Sequence, residues 1–166
     1  SYHRADPKAR EHIEDLLKDN GILFYAVSRN VNFDGEHHQY IKDTILQGMY
    51  DCDVLLCIVG KDTYTRPHVD WELHEALKGD IKTRKGVLAV MLENRRDSKN
   101  NIDYATFPNR LEDNEDYIVI EQYASLQDRL KDALDKALDN SRNKDMQVNN
   151  SRLPMQLRQG KYFDAN

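Results

Sequence analysis

Trp71 and Glu72 stand in the stretch "KDTYTRPHVDWELHEAL", Lys61 to Leu77, directly after the apolar run "DVLLCIVG". A carboxylate one turn into a helix that begins where a buried strand ends has two uses open to it. It can face a ligand and stabilise positive charge forming there, or it can be a first-turn acid on the helix dipole, worth about 0.3–1 kcal/mol. At 100° per residue, Val69, Leu73, Ala76 and Leu77 form one buried stripe. Asp70 and Glu72 fall on the flanks of that stripe, while Glu75 and Trp71 turn away from it. Trp71 is open to three readings: cover by the C-terminal tail, contact with a partner, or the lining of a site. Arg66, near the helix start, can meet a phosphate or pair with Asp62 or Asp70.

Other chemical signatures are missing. Neither G-x-G-x-x-G nor G-x-x-x-x-G-K-[ST] occurs, so no phosphate-cradling loop is expected. His37 and His38 are adjacent and His68 and His74 are six apart, a pattern that suits no common metal set. No metal site is expected, and all four histidines read as solvated surface, with His37 and His38 also possible in a loop lining the site. The G-x-S-x-G turn of a serine hydrolase is absent. In "CIVGKD" a glycine, Gly60, closes the strand where a phospho-acceptor domain needs Asp.

The elements that must position Glu72 alternate between helix and strand. Asp6-Pro7 opens a helix striped by Ala9, Ile13, Leu16 and Leu17 and closed by Asn20-Gly21. "ILFYAV", Ile22 to Val27, reads as the next strand, followed by the polar loop Ser28 to His38. A helix with Ile41, Ile45, Gly48 and Met49 on one face comes next. "DVLLCIV" and "GVLAVML" are apolar without alternation, as in strands covered on both faces of a parallel sheet. "YIVI" is a short strand, and Ser125 with Asp128 reads as a capping box for a last helix striped by Leu126, Leu130, Ala133, Leu134, Ala137 and Leu138. The pattern predicts an α/β three-layer sandwich, with the domain over 1–140. Residues 141–166 form a polar extension that packs on the domain or mediates assembly. The chain opens on "SYHRAD" directly before a helix, so Ser1 and Tyr2 read as the tail of a largely missing first strand. In such a sheet, ligands lie beyond the carboxyl ends of the strands. That edge gathers Ser1 to Asp6, Ser28 to His38, Gly60 to Glu72 and the loop after Leu92.

The 166 residues suit one domain, and the net charge of -5 argues against a protein that coats nucleic acid. No apolar run reaches the roughly 20 residues that span a bilayer, so no membrane is expected as a partner. No secretory leader is visible, although the opening reads as incomplete. Cys52 and Cys57 lie about 16 Å apart at ~3.3 Å per residue on an extended strand, too far to bridge. They read as small buried hydrophobes in a reducing cytoplasm.

Three segments together, "SYHRAD", "VLLCIVGKDTYTRPHVDWEL" and "FPNRLEDNEDYIVI", resemble TIR-like domains of the bacterial and archaeal branch that includes the NAD-consuming Thoeris defence subunits. The matching positions in the middle motif are Gly60, Thr63, Arg66, Val69, Trp71 and Glu72. His68 departs from the Trp often found there, and the loop from Ser28 to His38 matches nothing definite. The resemblance implies a flavodoxin-like fold with a parallel sheet of about five strands. It also implies cleavage of the nicotinamide–ribose bond of NAD as substrate, with no cofactor. Glu72 is then catalytic, because the Val-x-aromatic-Glu register fits; spacing from Trp71 in other TIR enzymes would choose Glu75. Tyr2 and His3 would flank the substrate, Ser28 and Asp34 would contact ribose or nicotinamide, and Arg66 and Trp71 complete the implied substrate-binding set. Antiviral defence, self-association and a partner effector sensing an ADP-ribose-derived signal, cyclic or conjugated, are the implied setting. Two other classes stay open: a non-catalytic TIR-like interaction module, and an N-deoxyribosyltransferase-like nucleoside enzyme.

Overall fold

The computed structural model describes residues 7–25, 43, 46–92, 107–158 and 161–163. Helix α1 (Pro7–Asp19) starts on the expected proline. It ends in a Schellman turn: Gly21, at φ 68, donates its N–H to Lys18 O at 2.9 Å and Ile22 donates to Leu17 O at 2.9 Å. Three parallel strands follow in spatial order β1 (Val54–Val59), β2 (Gly86–Met91), β3 (Val119–Gln122). Val54 lies opposite Gly86 and Leu88 opposite Val119. Helix α2 (Pro67–Ala76) connects β1 to β2. The one-turn α3 (Asn109–Glu112) precedes β3, and α4 (Leu126–Arg142) follows it.

The two-residue period of a strand sorts these side chains into two cores. Cys57, Val59, Val87, Ala89 and Met91 face α2 and α3, packing on Val69, Leu73, Leu77 and Leu111. Ile58, Leu88 and Val90 face the other way, onto Ile13, Leu16 and Leu17 of α1 and Leu126, Leu130, Ala133 and Ala137 of α4. Helices on both faces of a parallel sheet make the α/β three-layer sandwich. The continuous apolar runs follow from it, since every β2 side chain is buried. Gly86 is required where β2 passes beneath α4, because a Cβ there would run into the backbone of Ala137.

The described residues hold three strands of the parallel sheet, and Ser1 and Tyr2, read as the tail of a first strand, lie outside them. Several local expectations are corrected. Ile22 to Tyr25 form no strand, and Leu23 is 99% exposed; Ala26 and Val27 lie outside the described residues. Strand β3 starts at Val119, because Tyr117 and Ile118 donate their N–H groups to Asn114 O in a turn. Ser125 precedes α4 but makes no side-chain cap, since its hydroxyl donates to Gln122 O at 3.1 Å. Residues 46–49 are helical and Met49 is in the core, while Ile41 and Ile45 lie outside the described residues. Both cysteines are free; Cys57 is buried and Cys52 half-buried.

The chain beyond α4 turns back over the α2 face. Arg84 captures the carbonyls of Ser141, Asn143 and Met146 at 3.0, 2.6 and 2.9 Å, fixing the direction in which the backbone leaves the helix. Residues 146–155 then cross α2 and α3. A small antiparallel pair, β4 (Gln156–Arg158) with β5 (Lys161–Phe163), follows.

Candidate functional site

The turn between β1 and α2 is built by Thr63. Its hydroxyl accepts the N–H of Gly60 at 2.8 Å and is 3.5 Å from the carbonyl of Ile58, and the side chain is buried. Thr63 and Gly60 therefore shape the turn. Arg66 is the residue before α2, with extended backbone, and Pro67 fills the first helical position. Of the two acids open to Arg66, Asp62 and Asp70, the second is engaged by another arginine. Asp70 pairs with Arg110, whose Nε lies 2.9 Å from Oδ1, in a buried ion pair.

From that start α2 buries almost its whole circumference. Val69, Leu73, Ala76 and Leu77 face the sheet as expected. Trp71 does not turn to solvent: it is 4% exposed, its indole N–H donates to Met155 O at 2.7 Å, and His68 meets its ring edge-on at 5.4 Å. Of the three readings of Trp71, cover by the C-terminal segment is the one the geometry shows. His74 is also half-covered, against Asn150 at 3.1 Å, rather than fully solvated. Burial, then the neighbouring Arg110 charge, pushes its pKa below the ordinary imidazole value.

Glu72 occupies the other flank. Only 5% of the residue is exposed, and its carboxylate makes no hydrogen bond or ion pair among the described residues. It lines a cleft of about 880 Å³ along β1, bordered on one face of the sheet by Ile13, Leu17, Leu56, Ile58 and Leu134 and on the other by Met49, Leu55 and Glu72 itself. The oxygens of Glu72 are not sealed from that cleft. Glu75, the competing acid, lies elsewhere, 3.4 Å from Lys78 and 4.0 Å from His74. Arg10 and Glu14 of α1 also reach the cleft, 3.4 Å from each other, with Glu14 buried. Sequence reasoning passed over this pair, although the i, i+4 spacing and the place of Glu14 beside the Ile13–Leu17 stripe were visible. Tyr2, His3, Ser28 and Asp34, with His37 and His38, lie outside the described residues. Of the substrate-contact set, Arg66 borders a shallow hollow with Asp70, Asn109 and Arg152 on the opposite flank of α2, away from the large cleft. Among the described residues no cluster of His, Cys, Asp and Glu could hold a metal ion. No helix among them is long and apolar enough to cross a membrane.

A parallel sheet between helices defines an open-sheet α/β domain, with a cleft beside its first described strand that the carboxylate of Glu72 borders. The family is more specific than the class: the model of the Thoeris protein ThsB TIR-like domain matches residues 1–97, and the chain belongs to that family. It is a defence-associated TIR domain. No curated protein matches the chain.

Proposed function

We propose that this domain cleaves the nicotinamide–ribose bond of NAD, with Glu72 as the carboxylate that stabilises the transition state. The observation that carries the reading is the state of Glu72: buried, without a described partner, and on the wall of a large cleft in a TIR-like domain. Its oxygens are not sealed from the cleft, so a ligand there meets a carboxylate that no described protein group has engaged. NAD suits such a group. As the C1′–N bond breaks, its electron pair goes to the pyridine nitrogen, nicotinamide leaves neutral, and positive charge collects on the ribose as an oxocarbenium ion. A fixed carboxylate in a low-dielectric cleft opposes that charge and accepts hydrogen bonds from ribose hydroxyls.

No general acid is needed for this leaving group. Water adding to C1′ and losing a proton gives ADP-ribose; a nucleophile within the substrate, or an added one, gives a cyclic or conjugated product that a partner effector could sense. Tyr2, His3, Ser28 and Asp34 are proposed as contacts to the nicotinamide riboside half on the family resemblance. Self-association accompanies activity in this reading. The test is chromatography of NAD products formed by the full chain and by Glu72→Gln. Nicotinamide release that falls on the order of 10²–10³ in the variant supports the reading; undiminished release removes Glu72 from the mechanism. Absence of nicotinamide in every condition, with concentration-dependent light scattering, identifies an interaction module instead. Base exchange on nucleosides without NAD cleavage identifies a deoxyribosyltransferase-like enzyme.

A further inference from the structure

The C-terminal segment is fastened to α2 at both of its ends. At the first turn, the backbone N–H of Met155 donates to Asp70 Oδ2 at 2.8 Å while Trp71 donates to Met155 O. At the last turn, Asn150 donates to the carbonyl of His74 at 2.9 Å and its Oδ1 meets His74 Nδ1. Between these anchors sits Arg110, 1% exposed, with nearly its whole guanidinium fork engaged. Nε and Nη2 grip Asp70 at 2.9 and 3.3 Å, Nη1 donates to Asn150 Oδ1 at 2.7 Å, and Nη2 also reaches Arg152 O at 3.1 Å. Asn114 adds a two-way bond to the backbone of Asn149, at 2.8 and 2.7 Å. The apolar share is small, with Met146 and Val148 packing only partly buried against the α2-side core.

A segment seated mainly by directional polar bonds, and spanning a helix end to end, determines where that helix lies. We propose that Arg110 is a positioning residue. By latching residues 149–155 across α2 it holds the helix, and with it Glu72, at the wall of the cleft. Arg110 contacts Asp70 rather than Glu72, so its effect passes through the helix as a rigid body. The proposal rests on the reading of Glu72 as the ligand-facing acid, but the position of α2 can be measured without substrate.

The experiment uses the full chain, its Asn149→Ala/Asn150→Ala form and its Arg110→Met form. The first removes the Asn150 side-chain bonds to His74 and Arg110 and the Asn149–Ser151 bonds within the strap, and leaves the Arg110–Asp70 pair in place. The single tryptophan lies on α2 and reports strap seating directly. In both variants its emission is expected to move to longer wavelength. In the asparagine variant α2 amides are expected to exchange at least tenfold faster while α4 amides keep their protection, and in Arg110→Met protection is expected to fall further in α2 than in α4. NAD turnover is expected to fall at least tenfold in kcat with KM little changed. The Asp70→Leu/Arg110→Met pair replaces the ion pair by apolar groups but cannot latch the strap, so it is expected to recover global stability while α2 exchange stays fast; slow α2 exchange restored in it overturns the proposal. Unchanged emission and exchange after loss of both asparagines overturns the proposal. So does a released strap with α2 still protected, or a loosened α2 with full turnover. If the parent chain releases no nicotinamide, the enzymatic reading of Glu72 fails while the exchange comparison still decides whether the strap places α2.

Discussion

Asp70 and Glu72 are two acids on one helix, both nearly buried, and their surroundings treat them in opposite ways. Asp70, 7% exposed, accepts from Arg110 twice and from the Met155 backbone. Glu72, 5% exposed, has no described partner and fronts the cleft. A carboxylate whose oxygens are all engaged has no capacity left for a ligand, whereas one with none engaged keeps its full field for charge that develops beside it. Burial alone would rank the two acids together. Their partners separate them.

Breaking the satisfied side has the largest expected effect. Arg110→Met leaves Asp70 buried without its counter-charge and should destabilise the fold by about 3–5 kcal/mol in denaturant unfolding. The Asp70→Leu/Arg110→Met pair recovers most of that loss. On the unsatisfied side, Glu72→Gln should lower NAD cleavage by on the order of 10²–10³. Its unfolding free energy should change by less than about 1 kcal/mol, because the carboxylate makes no described hydrogen bond or ion pair that the amide would lose. Glu75→Gln sharpens the comparison from outside: its contacts to Lys78 and His74 are at the surface, so stability should move by less than about 0.5 kcal/mol with activity unchanged.

The smallest effect concerns pH. His74 faces Arg110, Glu75 and Asp70, and its pKa lies below the ordinary 6.5 because of burial first and Arg110 second. The neutral ring is therefore favoured in the fold, and just below 6.5 the unfolded chain binds more protons. Stability should be fully present above that value and decline as pH falls through the depressed one. A modest red shift of Trp71 emission between about pH 7.5 and 5.5, absent in His74→Gln, is the expected sign.

The frame of the domain was legible because it is written in local pattern. Proline and glycine bound α1, unbroken apolar runs mark β1 and β2, and the 3.6-residue stripe of α2 placed Val69, Leu73, Ala76 and Leu77 on the sheet. The flank position of Glu72 followed from the same arithmetic. Where local rules failed, a competing partner explains it. Ser125 bonds backward to Gln122, and Trp71 lies under a segment more than eighty positions away in the chain. Helical spacing says which side of α2 faces the sheet; it is silent about what lies on the other side.

The amino-acid order by itself determined the alternation of elements, the apolar faces that join them into layers, and the carboxylate on the flank of the helix after β1, since each depends on neighbours within a turn or a strand. Only the tertiary structure decided that Asp70 belongs to Arg110, that Trp71 lies under residue 155, and that Glu72 is the acid left without a described partner. Those outcomes depend on which groups from distant segments arrive first at each buried oxygen or nitrogen, and a buried polar atom takes whatever partner the packing delivers.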